Sequence, residues 1–140
     1  MTENDKKVYV LNMEEETKNN TNFRTTLWTG EHTQLTVMSI PVGGEIGLEA
    51  HHDVDQFLRV EAGAAKLLTG ADKDSVSETG ELQPDTAALI PAGTWHNVVN
   101  IGDSDLKVYS LYSPAEHAPG TVHKTKAEAD EAEAAEHGAA

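Results

Sequence analysis

Side chains that bind cations fall at two places in this chain. Glu49, His51 and Gln56 lie close together, and His96 follows much later. In a strand, side chains two residues apart share a face, so Glu49 and His51 project the same way. A second strand carrying Gln56 and a third carrying His96 could close around the same point. A carboxylate, an amide oxygen and two imidazoles suit one divalent ion, such as Mn, Fe, Ni, Co or Zn. The same parity turns His52 to the opposite face, which excludes it as a ligand unless a bulge shifts the register. Asp55 takes the place of Gln56 if the loop before it is one residue shorter.

These residues sit in two motifs that resemble the cupin superfamily. The first motif runs from Gly43 to Gly63 with the family's spacing. Its first histidine falls on Glu49, its second on His51 and its glutamate on Gln56. The second motif matches at Pro91, Gly93, His96 and Asn100, while the glycine that opens it falls on Asp85. The resemblance covers residues 33 to 112. It extends to small single-domain bacterial cupins labelled mannose-6-phosphate-isomerase-like. It implies an all-β jelly-roll barrel (a double-stranded β-helix), one metal held by Glu49, His51, Gln56 and His96, and a homodimer. The usual three-His, one-Glu set carries a single negative charge. Here that charge has moved from position 56 to Glu49.

The rest of the chain must position those groups. At 140 residues it reads as one domain with one core. A net charge of −14 argues against nucleic acid, whose phosphates would be repelled. There are no cysteines, hence no disulfide and no thiolate ligand. The polar N-terminus does not read as a signal peptide, and no apolar run approaches a membrane span. A cytoplasmic protein is the default expectation.

Residues 8–11 read as a short strand and 12–22 as a flexible arm. Strands are expected over 23–29, 34–40, 48–52, 56–62, 65–69, 86–90, 95–101 and 106–112. Many short strands at this spacing point to a sandwich or barrel. The domain therefore divides into an N-terminal strand and arm (1–22), a barrel (23–113) and a C-terminal extension (114–140). Within that extension Thr125 and Glu128 form a capping box. The helix they start offers only alanines as apolar residues, so it reads as a solvated appendage. His96, Val98 and Asn100 are expected on the inner face, with Trp95, Val99 and Ile101 outside. Arg24 and Arg59 are the only arginines. Arg59 faces away from the cavity and suits an ion pair. Arg24 could hold a substrate carboxylate or phosphate. His117 and His123 read as exposed loop residues that could also cover the barrel mouth.

A metal held from one side keeps open positions for water or a substrate oxygen. A hydroxy-carbonyl or keto-acid substrate matches such a site, with Glu49 as the candidate acid/base group. Isomerase, lyase and dioxygenase chemistry all fit. A non-catalytic binder of a sugar or acid is the alternative, and a domain without a working site is the third reading.

Overall fold

The computed structural model describes residues 2–138, with the side chains of the final helix described through residue 135. The elements run α1 (Met13–Asn19), β1 (Arg24–Thr29), β2 (Gln34–Ile40), β3 (Asp55–Ala62), β4 (Ala65–Gly70), β5 (Ser77–Leu82), β6 (Ala87–Ile90), β7 (Trp95–Asn100), β8 (Leu106–Ser113), β9 (Val122–His123) and α2 (Lys126–Gly138). Two antiparallel sheets face each other. One has the order β6-β3-β8-β2-β1-β9, the other β5-β4-β7. The result is an all-β jelly-roll barrel with a short C-terminal helix.

Registration across the large sheet sorts the barrel interior by polarity. One row aligns Val60, Val108, Met38 and Arg24, the next Leu58, Ser110, Thr36 and Thr26, and the next Gln56, Tyr112 and Gln34. Met38, Ile40, Leu58, Val60, Leu106 and Val108 pack with Ala65, Leu67, Leu82 and Val98 of the small sheet. That apolar end is the core, and its burial drives the sandwich together. Beyond it the interior turns polar, with Gln34, Thr36, Gln56 and Ser110 all buried. The outward residues Leu35 and Val37 are buried too, because α1 lies against β2, β3 and β8.

Four local expectations need correction. Residues 8–11 form no strand, and Val8 and Val10 are 93% and 89% exposed. No neighbouring strand offers them a ladder; instead the Trp28 indole donates to the Lys7 carbonyl. The supposed arm contains α1. Asn12 caps it by accepting from the Glu15 N–H, and Glu14, Glu15 and Glu16 suit the positive end of its dipole. Strand β5 falls where no element was expected, because Ser77–Leu82 is an edge strand that buries only Leu82. Finally, α2 is not wholly solvated. Thr125 caps it by accepting from the Glu128 N–H, the Glu128 carboxylate accepts from the Lys124 N–H, and Ala129 joins the core at 6% exposure. Asp85, which stands where the motif has glycine, adopts a left-handed φ of 71°.

Candidate metal centre

The segment before His51 is a single extended run along the edge of β7. Its backbone pairs Glu45 with Val99 and Glu49 with His96. Four residues thus span a distance that three residues span on β7, so one extra residue is bulged out. Gly47 accommodates it with φ 112°, and its N–H donates to the Asn97 side chain at 2.9 Å. Ile46 points inward before the bulge and Leu48 is exposed after it. The slip is what turns odd-numbered Glu49 and His51 inward. His52 faces out and is exposed, as parity predicted.

Glu49, His51 and His96 converge so that one ligand atom from each lies within 4.8 Å of the others. Glu49 Oε1 is 3.4 Å from His51 Nε2 and 3.5 Å from His96 Nε2. The outer nitrogens are occupied. His96 Nδ1 is 2.9 Å from the Thr94 carbonyl, and His51 Nδ1 is 3.1 Å from the Glu116 carboxylate. A donor proton on each Nδ1 leaves the Nε2 lone pairs facing Glu49, the tautomer that a metal requires. Both Nε2 atoms are buried without a hydrogen-bond partner.

Gln56 is 5% exposed on the same inner surface. Its Nε2 donates to Ser110 Oγ at 3.1 Å and lies 3.5 Å from the Tyr112 hydroxyl. That leaves its Oε1 buried and unpartnered. The Tyr112 ring meets the His51 ring edge-on, with centroids 5.7 Å apart. Orphaned acceptors of this kind are costly unless something binds them. Two imidazole nitrogens, a carboxylate and an amide oxygen are a donor set that a divalent first-row ion fits.

Electrostatics agree with that fit. Burial alone would raise the Glu49 pKa. The two imidazoles beside it, 3.4 and 3.5 Å away, outweigh it and hold the carboxyl well below its usual range. Burial would lower His51, but the carboxylates of Glu116 and Glu49 outweigh it and raise the ring to about 9. A ring raised this far favours a proton on His51 when no metal is bound. A metal must displace that proton to bind. Tyr112, fully enclosed, is pushed up by burial to about 12 and stays a phenol.

A cavity of about 220 Å³ opens on this cluster. Glu49 and His51 line it together with Arg24, Glu116, His117 and His123, and with Ala129, Ala132 and Glu133 of α2. Arg24 therefore does reach the site. Arg59 does not, and it pairs with Glu61 and Asp85 on the outside. His117 is a correction, since its ring is largely buried and stacks edge-on against Tyr112 at 5.3 Å. Burial, with Arg24 adding its charge, lowers it to about 3, so it is neutral. Sequence reasoning missed Glu116, Tyr112 and the α2 wall. The adjacent Glu116 and His117, just past the last long strand, were the available signal.

Comparison with known proteins settles the family. A family model described as a cupin domain matches residues 36–112. The chain belongs to the cupin domain family. This cupin is 50% identical to YrkC of Bacillus subtilis over 127 residues, which is 91% of this chain and 68% of YrkC. The crystal structure of BH2720 from Bacillus halodurans superposes with a TM-score of 0.86 at 54% identity, over 88% of this chain and 93% of that one. A Bacillus subtilis oxalate decarboxylase with Mn(II) centres aligns with a TM-score of 0.57 at 18% identity, over 64% of this chain and 23% of that one. The last likeness is one of fold. Among the described residues, no helix is long and apolar enough to cross a membrane.

Proposed function

We propose that this cupin is a metal-dependent enzyme acting on a small oxygenated metabolite. Glu49, His51, Gln56 and His96 would hold one divalent ion. The observation that carries the reading is the pair of buried imidazoles, each tied down at Nδ1 and each presenting an unpartnered Nε2 beside one carboxylate. The metal would supply Lewis acidity toward a substrate oxygen. The chain's own residues do the rest. Glu116 and the Thr94 carbonyl fix the two rings. Ser110 turns the Gln56 amide so that its oxygen stays free. Tyr112 keeps its proton and can donate a hydrogen bond next to His51. Glu49 remains ionised, which suits a ligand; off the metal, it is the acid/base candidate. Isomerase, lyase and dioxygenase reactions all remain open for such a site. The oxalate decarboxylase on this fold, named for a small dicarboxylate, is compatible with a small acid as ligand.

Metal analysis of protein purified without a histidine tag tests this. About one equivalent of a divalent ion is expected. His96→Ala should lose most of it, and His52→Ala should retain it. Metal-free wild type, or loss of the ion in the His52 variant, would refute the assignment.

A second reading is a non-catalytic cupin that binds a small sugar or acid. The feature in its favour is that a protonated His51 sits between Glu49 and Glu116 and offsets one of their two negative charges without a metal. Turnover on a panel of keto acids, sugar phosphates and phenolics separates the two. We also propose a homodimer, supported by the apolar outer face, where Leu89 is 80% exposed beside grooves lined by Phe57, Leu111 and Trp28.

A further inference from the structure

The cavity has two walls of different origin. Glu49 and His51 come from the segment that matches the cupin family, residues 36–112. Arg24, His117, His123 and Ala132, which line the same cavity, all lie outside it. So the wall that meets the rest of a ligand is built from β1 and the C-terminal extension.

Arg24 dominates that wall. It is 6% exposed, and its Nε is buried with no hydrogen-bond partner. One terminal nitrogen, NH1, lies 3.4 Å from His123 Nδ1, and the guanidinium sits 5.4 Å from the Phe23 ring centre. No carboxylate among the described residues pairs with it. A guanidinium is always charged, and burying one without an anion is unfavourable. His117 adds a second unpartnered atom, Nε2, on the same cavity. Two buried nitrogens on this cavity, Arg24 Nε and His117 Nε2, thus lack hydrogen-bond partners, and the first belongs to a permanent cation.

We infer that Arg24, flanked by His117, forms a carboxylate-binding subsite, and that α2 limits the ligand to a small hydroxy- or keto-carboxylate. This rests on the metal reading for the ligand's other end only. The charge balance favours a carboxylate over a phosphate. Glu49, Glu116 and Glu133 also line the cavity, and Arg24 is its only lysine or arginine. Beside those three carboxylates a monoanion held by the guanidinium meets less repulsion than a dianion would. The volume of about 220 Å³ lies below the usual range for ligand sites and excludes bulky substrates. Ala129 and Ala132 face this space from α2, and their small side chains set its depth.

The test uses full-length protein, both loaded with Mn(II) and stripped of metal. Glycolate and pyruvate are titrated in, with ethylene glycol and acetone as uncharged matches and inorganic phosphate as the rival anion. Calorimetry and amide NMR shifts are the readouts. Wild type should bind both carboxylates at least about tenfold more tightly than the uncharged matches, and phosphate more weakly. R24Q should lose that preference while keeping its metal content. Where R24Q fails to fold, A132L carries the test, since it fills the cavity without touching a polar group. It should weaken pyruvate more than glycolate. Retained preference in R24Q, tighter binding of phosphate, or unchanged binding in A132L overturns the subsite. If the protein takes up no metal yet binds carboxylates through Arg24, the subsite stands and the metal reading falls. If it loads metal but does not discriminate carboxylates, the subsite alone falls.

Discussion

His51 depends on the nitrogen that faces away from the cluster. Its Nδ1 meets Glu116, a residue far along the chain, at 3.1 Å. Partners of this kind commonly change metal affinity by about 10–100-fold. Glu116→Gln is therefore expected to weaken metal binding by about tenfold or more, measured by competition with a chelator. An unchanged affinity would show that the ring is oriented without it. His117 makes a separate prediction for metal-free protein. Its folded pKa of about 3 lies below the ordinary 6.5, so the unfolded chain takes up a proton that the fold refuses. The penalty is absent above pH 6.5 and grows as pH falls toward 3. At pH 5 it reaches at most about 2 kcal/mol. Urea melts at pH 7 and pH 5 should show His117→Gln losing less stability on acidification than wild type; equal losses would refute it. Glu49, His51 and His96 were legible because period-two parity and motif spacing both point to them. Glu116, His117 and Tyr112 were not, because each reaches the site only through tertiary folding.

Strands with strict alternation were the most legible elements. β3 and β8 show it, since one face of each meets the apolar core, whereas β2 is buried on both faces. β5 carries almost no such signal; its SETGEL sequence is held by pairing with β4 rather than by burial. The opposite error occurred at residues 8–11, where β-prone residues found no partner strand. α1 was hidden by its Asn- and Glu-rich composition, although Asn12 three residues before Glu15 is a capping signal. α2 was read correctly as a helix and wrongly as free of the fold. Alanine buries little area, but small side chains let a helix approach closely, and Ala129 does so. Composition alone does not distinguish a helix that avoids contact from one fitted to a tight space.

At the scale of the molecule, the interior is divided between an apolar base and a polar mouth, and the outside is not uniformly polar either. Leu89 at 80% exposure borders a groove of about 500 Å³ that contains Phe57, Ile90 and Leu111. A patch of this type is commonly an interface. Light scattering should give twice the 15.1 kDa chain mass, and Leu89→Glu should shift the population toward monomer. A monomeric wild type at high concentration would overturn the dimer. Strand spacing pointed to a sandwich or barrel and the motif resemblance to a jelly roll; the C-terminal closure of the cavity was not legible, because it follows from how distant segments meet.

The bulge at Gly47 constrains how this protein could have diversified. An insertion or deletion of one residue between Gly44 and Glu49 would swing His51 into solvent and bring His52 toward the interior. Length changes on that stretch should therefore be rare among working homologues, or should come in pairs, whereas the turn at residues 71–75 is free to vary.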